Sequence, residues 1–293
     1  MTARESPGIT PYPWPGSHRA AMAFTFDVDA EAVVLAVGRE YAGRPSVMTH
    51  QSYGPLTGLP RILRVLADRD VRCTFFVPGF TADRHPGAVT AILDGGHEVA
   101  HHGYLHRPPA HLSEAEERAE LEGGLEALAR HGVRPSGYRA PWWEASVRTL
   151  DLLAEYGIAY DTSLFDGDLP HPIATAHGPV VEIPQSWTFD DWERYAFLPD
   201  PPSGQGVIER PSQVVEAWWE EILGYRATGG CCVTVMHPFL SGRPARALAL
   251  GDLVDRVLAL GDVWVATTGE IAEHCAALGM QARPLDLPDP SGL

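Results

Sequence analysis

Eight short runs rich in β-branched and aromatic residues recur along the chain, and longer amphipathic stretches separate most of them. The runs fall at 22–27, 72–77, 97–101, 136–139, 159–161, 180–183, 231–237 and 263–267. Their lengths suit buried strands. Helical patterns fall at 59–67, 86–93, 113–130, 144–155, 212–226, 244–260 and 269–277. Ser113 and Glu116 spell a capping box, and Gly95-Gly96 stops the preceding helix. Strands that alternate with helices pair in parallel. A single-domain (β/α) barrel of seven or eight strands, distorted or incomplete, is the expected α/β fold. An open doubly wound sheet would carry a Gly-rich phosphate turn after its first strand. Here that strand ends in Asp27-Val28-Asp29. The barrel is expected over 21–280, with an extended Pro/Gly-rich arm at 1–20 and a tail at 281–293.

Composition removes several function classes. The chain has 293 residues, 22 basic and 38 acidic, for a formal charge of −16. That balance opposes general nucleic-acid binding, which needs a basic face. Every basic residue is Arg and none is Lys. Schiff-base, Walker-A and Ser-Lys chemistries are therefore excluded. Cys73, Cys231, Cys232 and Cys275 form no CxxC pair and read as small buried apolar residues. The first residues lack a signal peptide's apolar run, and no stretch is long and apolar enough for a transmembrane helix. A soluble cytoplasmic protein is the expectation.

In a barrel, functional groups come from the C-terminal ends of several strands. Here those ends carry Asp27 and Asp29, then His101, His102 and His106, then Arg139 with Trp142 and Trp143. They continue with Asp161, with Trp187 and Asp190-Asp191, and with His237. Two carboxylates closing an apolar strand are costly unless paired or metal-bound. His102 and His106 could join an Asp in a three-ligand site with positions left for water and substrate. A competing motif, the HExxH of zinc peptidases, is spelled by His97-Glu98-Val99-Ala100-His101. It requires a helix, and the flanking Gly95-Gly96, Gly103 and Pro108-Pro109 leave no room for one. On a strand, His97 and His101 face one side and Glu98 the other.

This ordered set resembles the polysaccharide deacetylase family, also called NodB-like or carbohydrate esterase family four. The residues that carry the resemblance are Thr25-Phe26-Asp27-Val28-Asp29, His102-Gly103-Tyr104-Leu105-His106, Arg139-Ala140-Pro141-Trp142 and Met236-His237-Pro238. It extends over about residues 20–275 and looks closest to a non-secreted branch. That branch holds peptidoglycan deacetylases and is similar to cyclic imide hydrolases and metal-independent allantoinases. The resemblance implies a divalent metal, zinc by preference, on Asp29, His102 and His106. It implies Asp27 as general base toward water, Arg139 as the partner that orients Asp27, and His237 as general acid. Trp142 and Trp187 would wall the substrate pocket. Arg243, soon after His237, could hold an anionic substrate group. Two departures stand out. Val28 separates acids that the family usually writes side by side, and Gly103 replaces a usual Ser or Thr.

The expected reaction is metal-dependent hydrolysis of a non-peptide carbon–nitrogen bond, either deacetylation of a saccharide or opening of a small amide. The alternatives are an allantoinase-like hydrolase of cyclic imides or ureides and a non-catalytic metal-binding barrel. The expected partners are a saccharide or small-molecule amide substrate, with no nucleic acid and no membrane. A homo-oligomer such as a tetramer is also expected, its contacts supplied by the arm and the loop at 199–210.

Overall fold

The computed structural model describes residues 12–204 and 207–288. Its strands are β1 (Ala20–Asp27), β2 (Thr74–Val77), β3 (Glu98–His101), β4 (Gly137–Tyr138), β5 (Tyr160–Asp161), β6 (His171–Ile173), β7 (Val180–Glu182), β8 (Leu198–Pro199), β9 (Pro202–Ser203), β10 (Cys231–Met236) and β11 (Val263–Val265). One sheet runs β10-β1-β2-β3-β4-β5-β7-β6, and β11 pairs with the start of β1. Every pairing in that sheet is parallel except β6 with β7. Among the described residues no ladder joins β6 back to β10. An isolated bridge between Asp190 and Val235 spans that side instead. The result is a curled, incomplete barrel.

All eight residues of β1 are buried, as expected of a strand covered on both faces. Met22, Phe24 and Phe26 point outward into the core shared with the helices. Ala21 and Ala23 point inward, where small side chains fit beside Phe76 and Tyr160. The same alternation sends Thr25 and Asp27 inward at the strand's far end. Cys231 and Cys232 divide between the inner and outer cores, and all four cysteines are free and buried.

The eight expected strands are all present, most of them trimmed at their ends. β6 and the β8–β9 hairpin were not anticipated, because their two or three residues offer no periodicity to read. Most helical patterns match closely, including Pro244–Leu260. The pattern at 144–155 is shorter, forming a helix only over Thr149–Glu155. Upstream, Pro141–Trp143 is a tight turn with Trp142 and Trp143 at φ 59° and 55°. Helices Ala32–Val37 and Pro45–Tyr53 fill a stretch that carried no clear pattern.

The arm folds onto its own barrel over residues 12–19. Trp14 is buried, and its indole N–H donates to the Gly229 carbonyl at 2.8 Å. Residues 1–11 lie outside the described residues, as do 205–206 in the 199–210 loop and 289–293 in the tail. The described part of the tail pairs with the sheet edge, where the Arg283 amide meets the Pro172 carbonyl at 3.1 Å. Trp218 and Trp219 sit on helix Pro211–Thr228, where Trp218 is buried and donates to the Thr188 carbonyl. No described helix is long and apolar enough to cross a membrane.

Candidate active site

Asp27 closes β1 and Asp29 follows two residues later, so the strand's alternation turns both toward the barrel mouth. The intervening Val28 is buried in the outer core. The spacing thus places two acids on one side of the backbone. Glu31, the third acid of the motif, turns away to Arg84 at 2.8 Å and His85 at 2.7 Å.

The histidine loop leaves β3 through His102. Its Nδ1–H donates to the Arg139 carbonyl at 2.7 Å, which leaves Nε2 free to face the acids. That Nε2 lies 3.4 Å from Asp29 and 3.6 Å from Asp27. Gly103 follows at φ 71° and His106 at φ 60°, two left-handed positions that bend the loop back. Gly suits the first of these. The amides of Tyr104 and Leu105 both donate to Glu120, at 3.0 and 2.8 Å, and so hold the loop to helix Glu114–Ala129. His106 Nε2 lies 3.5 Å from Asp29, as does His237 Nε2 from the far side.

The donor set of Asp29, His102 and His106 fits a divalent cation. All three side chains are buried, and their ligand atoms lie within 4.8 Å of one another. Both Asp29 oxygens lack a hydrogen-bond donor although they are fully shielded from solvent. A buried carboxylate in that position is costly without a cation. Burial opposes its ionisation, but the His106, His102 and His237 imidazoles outweigh burial and hold its pKa well below the usual range.

Asp27 is gripped on its other oxygen. Arg139, completely buried, donates to Asp27 Oδ1 at 2.5 Å and to Thr25 Oγ1 at 3.0 Å. The guanidinium lies 4.0 Å from the centre of the Phe76 ring, which fixes its plane. On the opposite side His237 Nδ1 donates to Asp191 at 2.7 Å, and the His237 amide donates to the same carboxylate. Burial opposes the charged imidazole. The Asp191 carboxylate overrides it and pushes the His237 pKa up to about 10.

These groups line an open cleft with Trp142, Trp143, Trp187 and Trp192. Trp187 is half exposed and stands edge-on to Trp143, with centroids 4.6 Å apart. Asp27, Asp29, His102, His106, Trp142, Trp187 and His237 thus share one cleft, with Arg139 directly behind Asp27. Arg243 does not join them. The short helix Pro238–Ser241 carries the chain away after His237, and the Arg243 guanidinium stacks on Tyr53 at 3.7 Å. Its assignment to the substrate cleft is corrected on that ground.

The HExxH segment is strand β3, and its histidines are packed groups. His101 is wholly buried, bonded to the Leu121 carbonyl at 2.9 Å, and burial lowers its pKa to about 4. Sequence reasoning missed the role of Asp191. Its acidic neighbourhood was visible, but its partner lies 46 positions away. It placed Asp161 at the rim but missed its register with Glu182 behind Arg139.

Comparisons with known proteins point to one family and fold. The family model described as Polysaccharide deacetylase matches residues 42–160. Helicobacter pylori peptidoglycan deacetylase is 27% identical over 85% of this chain and 94% of its own length. An allantoinase structure, Puue, superposes with a TM-score of 0.80 over 92% of this chain and 95% of its own, at 23% identity, a likeness of fold. A Mycobacterium smegmatis structure assigned as a polysaccharide deacetylase is 48% identical, with a TM-score of 0.93, covering 97% of this chain and all of that one. With that degree of identity along its whole length, the chain belongs to the polysaccharide deacetylase family, hydrolases of carbon–nitrogen bonds other than peptide bonds.

Proposed function

We propose that this chain removes acetyl groups from an N-acetylated saccharide, with a divalent ion held by Asp29, His102 and His106. The observation that carries the reading is Asp29, a buried carboxylate without hydrogen-bond donors and faced by three imidazole Nε2 atoms. A bound zinc-like ion supplies positive charge that polarises the acetyl carbonyl and acidifies water. Asp27, turned by Arg139, offers its second oxygen to the cleft and takes the proton of the attacking water. His237 presents Nε2 to the cleft and gives a proton to the departing nitrogen, while Asp191 stabilises the imidazolium. Trp142 and Trp187 offer flat faces at the rim on which a sugar ring can stack.

The test combines metal content with acetate release from N-acetylglucosamine oligomers and peptidoglycan fragments. Wild type should carry about one ion per chain. The variants Asp29→Ala and His106→Ala should lose both ion and acetate release while staying folded. Full acetate release from a folded, metal-free variant would sink the proposal. Cyclic imides belong in the same panel, because the four-tryptophan cleft also suits a small planar ring; ring opening without acetate release would favour that second reading.

A further inference from the structure

A second concave surface lies one aromatic layer away from the cleft. Phe239 forms part of it and packs against Trp192 and His237 of the cleft, with centroids 5.6 and 6.0 Å apart. The pocket has a volume of about 570 Å³ and opens to solvent. Its apolar wall is Phe239 and Leu240, with the exposed Phe197 and Ile208 at the rim. Its charged wall is Arg243 and Arg246, with the imidazole of His50 beside them.

The two arginines are held in place but not neutralised. Arg243 stacks on Tyr53, and Arg246 stacks on Tyr195 at 4.1 Å. Their side-chain hydrogen bonds run to the backbone carbonyls of Phe239 and Leu240, and among the described residues neither makes an ion pair. Glu209 is the one carboxylate among the lining residues, and Arg194 holds it at 3.1 Å. Arg243 caps the 17-residue helix Pro244–Leu260, whose first turn carries no acid, so the helix dipole adds positive potential there. His50 registers that potential: burial, then Arg243 and Arg246, lower its pKa. In a chain of net charge −16, two guanidiniums without an ion pair among the described residues, beside an apolar wall, offer a place for an anion.

We infer that this pocket binds a small amphiphilic carboxylate. Its carboxylate would meet the Arg243 and Arg246 guanidiniums, whose planar forks match that group. Its ring or short chain would lie on Phe239, Phe197 and Ile208. The site is separate from the deacetylase cleft and does not depend on the metal.

Calorimetric titration tests this with 4-phenylbutyrate, its neutral counterpart 4-phenylbutanol, and inorganic phosphate. One 4-phenylbutyrate should bind per chain, with phenylbutanol and phosphate each at least about tenfold weaker. Affinity should fall at least about tenfold in Arg243→Gln/Arg246→Gln and persist in Asp29→Ala/His106→Ala. Ile208→Glu, an exposed change, should weaken binding similarly and serves if the arginine variant does not fold. The inference is overturned if no 4-phenylbutyrate binds, or if binding survives the arginine changes but not loss of the metal ligands. It is equally overturned if the probe fails to bind and sedimentation finds an oligomer that the arginine changes dissociate, since the pocket's occupant is then a second copy.

Discussion

At the level of single residues, the proposed mechanism divides the acid–base work between two buried pairs. Arg139 aims Asp27, and Asp191 aims His237. Asp191→Asn keeps the shape but removes the charge that stabilises the imidazolium. Acetate release should drop by about 10²–10⁴ in kcat, the range for a lost acid–base contribution, with metal content unchanged. A kcat within threefold of wild type would remove Asp191 from the mechanism. Behind Arg139 sits a different pair. Burial and then the neighbouring charge of Asp161 raise Glu182 well above the carboxylate range. Burial raises Asp161 to about 6. A carboxyl whose pKa is raised on folding contributes stability that is complete below its unfolded pKa and declines as pH rises toward its folded pKa. Glu182→Gln removes that decline. Its thermal stability relative to wild type should therefore grow between pH 5 and pH 9, by up to about 1.4 kcal/mol per pH unit. A difference that stays flat with pH would contradict the raised pKa of Glu182.

The loop that carries two of the proposed metal ligands is held by helix Glu114–Ala129, which supplies no ligand itself. Ser113 starts it with a complete capping box. Glu120 then anchors the histidine loop through two amides. Gly124 lets the helix approach, since a Cβ there would stand 2.3 Å from His101 Nε2 and 2.7 Å from the Gly103 carbonyl oxygen. Gly124→Ala must push the loop and helix apart. Overpacking of this kind costs about 1–3 kcal/mol of stability. Because the displaced loop carries His102 and His106, zinc affinity should fall at least about tenfold, comparable with loss of a residue that orients metal ligands. A competition titration with a chromophoric chelator reads this directly. Unchanged affinity would mean that the loop is positioned independently of the helix.

At the scale of the whole molecule, the proposed ion joins β1 to the loop after β3. Its ligands come from segments more than 70 residues apart, so the unfolded chain presents no such site. At about one hundred times its dissociation constant, zinc should stabilise the fold by about 2.7 kcal/mol. For a domain of this size that corresponds to a rise of about 5 °C in Tm. Scanning calorimetry with and without a chelator should recover this rise in wild type and find none in His106→Ala. A metal-insensitive wild type would argue that Asp29 is satisfied by other means.

Eight strands and most helices could be read in the sequence for local reasons, and the residues proposed as base, ligands and acid lie on the strand ends it named. Strand alternation aims Asp27 and Asp29 together, glycines and prolines exclude a helix at His97–His101, and the motifs follow one another in a recognisable order. Three features depended on tertiary structure. Arg243 leaves the cleft because a four-residue helix after His237 redirects the chain. Asp191 reaches His237 because the segment after β7 lies beside β10 across the open side of the barrel. Asp161 and Glu182 share their burial because β5 and β7 are adjacent in the sheet, with Asp161 opposite Glu182 in register. Sequence determines which groups a segment carries and which face they take. Long-range pairing decides which groups meet, because contact energies exist only once distant segments are packed.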